Sequence, residues 1–314
     1  MTADSTGQDA RVAILPNSTN ELERAVTDAG GTLADIAAAN ALVWTNPRDP
    51  QGMKTVLDGS DVTWVQLPFA GIESFIAAGV IDPELTWTCA KGIYGPACAE
   101  HALALMLAAA RRLAVHARAK SWGREGINSP EYRLEGRTAA VVGTGGIGSA
   151  LMPMVAPLGM RVIGVNRSGR PLDGAERTVK VDELSEVLGE ADFVVIAAAL
   201  TTSTRNLFDK EMLGAMKESA WLVNVARGGL INTDALVAAL EAGSIGGAAL
   251  DVTEPEPLPD GHPLWNLDNC LITPHVANTW AMGLAALPGL VRHNVEAFAK
   301  GRPLEGLVDP ELGY

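Results

Sequence analysis

Residues 138–148 read TAAVVGTGGIG: a short strand-like run of small and apolar residues, glycines at 143, 145 and 148, then an apolar helical pattern. Few stretches of this length constrain a fold as tightly, because each glycine of a G-x-G-x-x-G turn meets a separate steric need. Gly143 makes the tight turn out of the strand, Gly145 leaves the backbone bare for a pyrophosphate to approach, and Gly148 lets the helix pack closely on the strand. Gly146 and Ile147 open the helix with Gly148, and their free N–H groups face the phosphates. In a chain with 33 glycines the match takes its weight from its place between strand and helix. Pro153 and Pro157 lie in the helix that follows and are expected to kink or shorten it.

The surrounding chain repeats the same alternation. RVAILP, NELERAVTDAG, NALVWTN, QGMKTVLD, VTWVQLP and IESFIAAG form a first series from Arg11. A second runs from Arg137 to NCLITPH near His275. Short apolar runs alternating with helical periods predict βαβ units on parallel sheets, and 314 residues suggest two domains. Between the series, an Ala/Leu-rich helix is predicted from near Pro96 or Glu100 to about Lys120, with basic residues towards its end. A last helix is predicted near Leu287 to Lys300.

The strand RVIGVN after the glycine turn ends in Asn166, where NAD-binding folds place an acidic residue on the ribose 2′-hydroxyl. Arg167, Ser168 and Arg170 follow. A carboxylate there would repel a 2′-phosphate, whereas asparagine beside guanidinium and hydroxyl donors accepts one. NADP is therefore the expected cofactor, NADPH preferred over NADH, with a merely solvated basic loop as the alternative.

The balance of 24 Lys+Arg against 37 Asp+Glu, a formal net charge of -13, opposes binding to nucleic acid or an anionic membrane. Cys89, Cys98 and Cys270 form no CxxC pair, so reduced thiols are expected and no metal site. The N-terminus MTADSTGQDAR shows no basic-then-apolar leader, and the longest apolar runs, such as 102–110, are too short to span a bilayer. A cytoplasmic protein is the expectation.

Three stretches at predicted carboxyl ends of second-series strands carry the chemistry: VNVARGG with Arg227, ALDVTEPEPLP with Asp251 and Glu256, and ITPHVANT with His275. Together with WVQLPFAGIE, GIYGPACAEHALALML, RLEGRTAAVVGTGGIG, PLWNLDNCLITPH and LVDPELGY, in that order of themes along the chain, the sequence resembles the D-isomer-specific 2-hydroxyacid dehydrogenases. The resemblance implies an α/β fold of two doubly wound parallel-sheet domains: a Rossmann cofactor domain, 100–281, inserted in a flavodoxin-like substrate or lid domain, 1–99 and 282–314, with the cleft between them. It assigns catalysis to Arg227, Glu256 and His275, spaced 256 − 227 = 29 and 275 − 256 = 19 residues apart.

Reduction of a 2-keto acid needs a hydride at the carbonyl carbon and a proton at its oxygen, and an imidazole titrating near neutrality supplies the proton. Glu256 would orient His275, and Arg227 would hold the substrate carboxylate and polarise the carbonyl. By the same resemblance Asp251 lies near the nicotinamide, Ala198 and Val225 join the cofactor contacts, and the backbone of Ala70 and Gly71 helps hold the small anionic 2-keto acid. The expected substrates are glyoxylate or hydroxypyruvate, and the expected assembly is a homodimer through the cofactor domain. A dinucleotide-sensing regulatory protein on the same scaffold and a phosphoglycerate dehydrogenase-like enzyme are the alternatives. The loop AALTTST lacks a proline common in the family before its Leu-Thr, and Pro68, Phe69, Asn278 and Trp280 stand where smaller residues are usual, which bears on substrate fit. His101, His116, His262 and His293 read as structural.

Overall fold

The computed structural model describes residues 9–122 and 131–309; the first eight residues of MTADSTGQDAR and the last five of LVDPELGY lie outside the described residues. The chain divides into two compact units, one formed by residues up to Tyr94 together with those from Thr279, the other by Gly95–Asn278. In the first, strands β1 (Arg11–Leu15), β2 (Thr32–Leu33), β3 (Ala41–Trp44), β4 (Trp64–Gln66) and β5 (Thr86–Thr88) lie in the order β2-β1-β3-β4-β5. Every pair is parallel. This is the flavodoxin-like doubly wound order. Helices α1 (Asn20–Asp28), α2 (Pro50–Leu57) and α3 (Glu73–Ala77) connect the strands. Thr19 caps α1 by accepting from Leu22 N, and Asp49 caps α2 ahead of Pro50, which suits the first turn.

The second unit opens with α4 (Gly95–Ala110) and α5 (Leu113–Arg118), followed by β6 (Thr138–Val142), α6 (Gly146–Val155), β7 (Arg161–Asn166), β8 (Arg177–Lys180) and α7 (Leu184–Leu188). It continues through β9 (Phe193–Ile196), α8 (Lys210–Gly214), β10 (Trp221–Asn224), α9 (Thr233–Glu241), β11 (Gly247–Leu250) and β12 (Cys270–Ile272). The sheet order is β12-β11-β10-β9-β6-β7-β8, all parallel. Counted within the unit this is the Rossmann order extended by one strand, and the order reverses between β6 and β9. Leu184, Val187, Leu213, Leu236 and Leu240 cover one face of the sheet. Ala99, Leu105, Met106, Leu151, Met152 and Val155 cover the other. Burial on both faces explains why β6, β9 and β11 read as unbroken apolar runs rather than alternating ones.

The last helix, α10 (Trp280–Ala299), returns to the first unit and packs on α1. Its Asn294 donates to Gln66 Oε1 at 2.9 Å from a fully buried position. No described helix is long and apolar enough to cross a membrane.

Two helices depart from the sequence expectation, and α6 follows it. The long central helix ends at Ala110 instead of near Lys120, because Tyr132 N donates to Ala110 O at 3.1 Å and Arg112 turns left-handed at φ +47°. α10 begins at Trp280, seven residues before Leu287, on the hydroxyl of Thr279, and it carries Pro288 inside it. α6 likewise carries Pro153 in its interior and passes at Ala156 into a 3₁₀ turn that contains Pro157. The division between units falls at Gly95 and Thr279, where α4 and the cap of α10 begin.

Candidate active site

All the predicted residues of the second unit lie at or after the carboxyl ends of its parallel strands, where open α/β sheets bind ligands. After β6 the chain turns at Gly143 with φ +96°, and a Cβ there would sit 2.5 Å from the Ala197–Ala198 peptide that follows β9. A Cβ on Gly148 would lie 2.1 Å from Gly143 O, so the helix approaches its own turn too closely for any side chain. Gly145 is the opposite case: a Cβ there meets nothing within 4 Å. The bare backbone beside the start of α6 is thus open space, and it fits the pyrophosphate of a dinucleotide. Gly146 opens α6, with its carbonyl 2.3 Å from where a Cβ on Gly95 would stand, and Ile147 is half-buried behind it.

Asn166 ends β7 and folds the loop after it. Its Oδ1 accepts from Ser168 N, Ser168 Oγ and Gly169 N at 3.0, 3.2 and 2.7 Å, while Nδ2 donates to Thr144 Oγ1 and Arg170 O at 3.2 Å each. The Ser168 hydroxyl is therefore spent inside the loop, since its oxygen also accepts from Arg170 N at 3.3 Å. The guanidinium groups of Arg167 and Arg170 are exposed and have no hydrogen-bond or ion-pair partner among the described residues.

The loop after β10 carries Arg227, half-buried, which donates from Nη1 to Ala226 O at 2.7 Å. Val225 beside it is buried. Asn224, fully buried, holds this loop by accepting from Ala226 N at 3.0 Å and donating to Arg227 O at 2.9 Å. The glycines that follow are forced by the β11 loop, because a Cβ on Gly228 would lie 2.0 Å from Thr253 C. After β12, His275 stands at φ +53°, a region that non-glycine residues enter rarely. Its Nδ1 lies 2.5 Å from Glu256 Oε1. Both side chains are close to half exposed.

Asp251, 2% exposed, follows β11 and ties the histidine loop down. Its carboxylate accepts from Thr273 Oγ1 at 2.6 Å and from Val276 N and Ala277 N at 2.9 Å, and its carbonyl accepts from His275 N at 2.8 Å. Two neighbours from α4, read in the sequence as a structural histidine and a reduced thiol, lie beside these residues. His101 lies 3.3 Å from Asp251 Oδ1 and 2.9 Å from Thr273 Oγ1. Burial pushes the Cys98 thiol up to about 11, with Asp251 raising it further and Arg227 pulling it down. Asn224 was unmarked in the sequence; its place three residues before the arginine on a strand end was the only signal. Ala70 and Gly71 lie in the first unit, after β4, where Ala90 N donates to Phe69 O at 3.1 Å and the Tyr94 hydroxyl donates to Pro68 O. Ala198 is half-buried after β9. Among the described residues no group of three or more His, Cys, Asp or Glu could hold a metal ion.

A carboxylate-buttressed imidazole at the same carboxyl edge of the sheet as a dinucleotide turn serves proton supply during hydride transfer, which is the work of a dinucleotide-dependent oxidoreductase. A sequence profile for the NAD-binding domain of the D-isomer specific 2-hydroxyacid dehydrogenases matches residues 103–277. The chain is 44% identical over 256 residues to a Corynebacterium melassecola protein described only by its position beside proB, covering 81% of this chain and 84% of that one. It is 38% identical over 224 residues to the glyoxylate reductase of Pyrococcus furiosus, covering 69% of this chain and 66% of that enzyme. A D-isomer specific 2-hydroxyacid dehydrogenase from Xanthobacter autotrophicus, solved with NADPH, superposes with a TM-score of 0.84 at 27% identity, covering 98% of this chain and all of that one. The chain belongs to the D-isomer specific 2-hydroxyacid dehydrogenases. It is an NAD(P)-dependent oxidoreductase with a nicotinamide dinucleotide as cofactor.

Proposed function

We propose that this protein reduces a small 2-keto acid of the glyoxylate or hydroxypyruvate type to the D-2-hydroxy acid, using NADPH in preference to NADH. The observation that carries the reading is the 2.5 Å contact of His275 Nδ1 with Glu256 Oε1, on a loop anchored by Asp251. Glu256 fixes the ring through Nδ1, leaving Nε2 to deliver the proton to the carbonyl oxygen. Arg227 pairs with the substrate carboxylate and stabilises the charge that develops on that oxygen. The nicotinamide, when bound, supplies the hydride. Gly143, Gly145, Gly146, Ile147 and Gly148 would hold its pyrophosphate, with Ala198, Val225 and Asp251 towards the nicotinamide and Ala70 and Gly71 on the substrate carboxylate.

The NADPH preference is supported by Arg167 and Arg170, exposed and without partners among the described residues beside a strand end that lacks a carboxylate. Asn166 and Ser168 support it by shaping the loop that presents them. Family resemblance further supports a cytoplasmic homodimer, which light scattering of the purified protein would test. Initial rates with NADPH and NADH across glyoxylate, hydroxypyruvate, pyruvate and bulkier keto acids test the main reading. NADPH oxidation with glyoxylate and hydroxypyruvate is expected, and no oxidation with any of the panel would overturn it. His275→Ala should lower kcat by at least about a thousandfold while the Kd for NADPH stays within about twofold.

A further inference from the structure

The hydrogen bonds around Asp251 extend beyond the residues given a part in the reaction above. They hold the chain immediately before and after His275, and that residue needs holding: at φ +53° its backbone would relax to the commoner region if its neighbours let go. The outermost member is His101 on α4, with 21% of its side chain exposed against 1% for Asp251. Its Nε2 lies 2.9 Å from Thr273 Oγ1 and 3.3 Å from Asp251 Oδ1.

Counting hydrogens gives each atom its role. The Thr273 hydroxyl has one hydrogen, and a 2.6 Å contact with a carboxylate, which only accepts, takes it. Towards His101 the same oxygen can only accept. His101 Nε2 must therefore carry a hydrogen, given to Thr273 Oγ1 with Asp251 Oδ1 3.3 Å away. Through the threonine it completes the chain of donors to a carboxylate that accepts three hydrogen bonds and, this deeply buried, depends on each of them.

We infer that His101 is a positioning residue: as an Nε2–H donor from α4 it locks the Thr273–Asp251 pair in the arrangement that holds His275 against Glu256. A histidine that merely filled space would be replaceable by leucine, whereas a donor is replaceable only by another donor. Glutamine reaches the same point with its amide N–H and cannot take up charge, so His101→Gln and His101→Leu separate the two roles. The kinetic part of the test rests on the keto-acid reduction proposed above; the spectroscopic part does not.

In the full-length protein, ¹⁵N NMR of the imidazole rings should show His101 protonated at Nε2. In His101→Leu the ring signals of His275, assigned by their loss in His275→Ala, should move, and in His101→Gln they should return towards the wild-type positions. With NADPH and glyoxylate, kcat should fall about ten- to a hundredfold in His101→Leu, the scale expected when a reacting group is misplaced by a fraction of an ångström. His101→Gln should recover to within about threefold, with KM for NADPH unchanged in both. If His101→Leu does not fold, Thr273→Val, which removes the intervening oxygen, carries the same expectations. Protonation of His101 at Nδ1 alone, unchanged His275 signals in His101→Leu, or equal impairment of the Leu and Gln variants would each overturn the inference. If no keto acid is turned over, the reading of function fails while the ring signals still decide the role of His101.

Discussion

Asn166 does more than remove a charge from the cofactor loop. Its carbonyl oxygen gathers three donors and its amide gives two hydrogens back, so the side chain is the frame on which Arg167 and Arg170 are presented. Aspartate could keep the three acceptances but would lose both donations and face a 2′-phosphate with like charge. Asn166→Asp should therefore lower the NADPH-to-NADH ratio of kcat/KM by at least about tenfold, measured by initial rates. Arg167→Ala should lower the same ratio by about tenfold while leaving kcat/KM for NADH in place; an unchanged ratio would reduce the loop to a solvated turn. Cys98 offers a separate check. With its thiol pushed up to about 11, only about one molecule in a thousand carries the thiolate at pH 8, so alkylation should be slow in the folded protein and fast in urea.

At the level of elements, the glycine turn makes opposite predictions for neighbouring residues. Gly148→Ala drives a methyl group into Gly143 O and should cost about 2 kcal/mol or more in urea unfolding. Gly145→Ala meets no protein atom, so stability should hold while the Kd for the dinucleotide rises, because the methyl group occupies the approach to the phosphates. This turn was legible in the sequence because its reasons are local: strand, bend and helix lie within eleven residues. The central strands were legible because burial on both faces leaves apolar runs, whereas β2 and β5, two and three residues long, were not. What escaped depends on distant partners. Nothing near His101 announces Thr273, 172 residues away, and nothing near Ala110 announces the amide of Tyr132 that ends the helix. Asn166 was recognised for the carboxylate it lacks, while its use as a loop frame depends on Thr144 and on a backbone turn that residue type alone does not specify. The start of α10 was within reach, since Thr279 is a capping residue, but Pro288 obscured it.

At the scale of the whole molecule, the second unit is one uninterrupted stretch with its own two-faced core, and the dinucleotide turn lies entirely within it. Residues 95–278 produced alone should fold and bind NADPH but turn over no keto acid, as read by calorimetry and by absorbance at the nicotinamide band. NADPH at a hundred times its Kd should stabilise the fragment by about 2.7 kcal/mol. The first unit has no such independence: Gln66 on β4 takes its hydrogen bond from Asn294, 228 residues later, and α1 is covered by α10. On the ribosome the two units must therefore be completed in the reverse of the order in which they are begun. The sheet made first waits with one flank open until α10 emerges, and the unit made second closes ahead of it. A nascent chain arrested after Asn278 should resist protease across the second unit and be cut within the first, so the opening third of this protein is the part that depends on protection during synthesis.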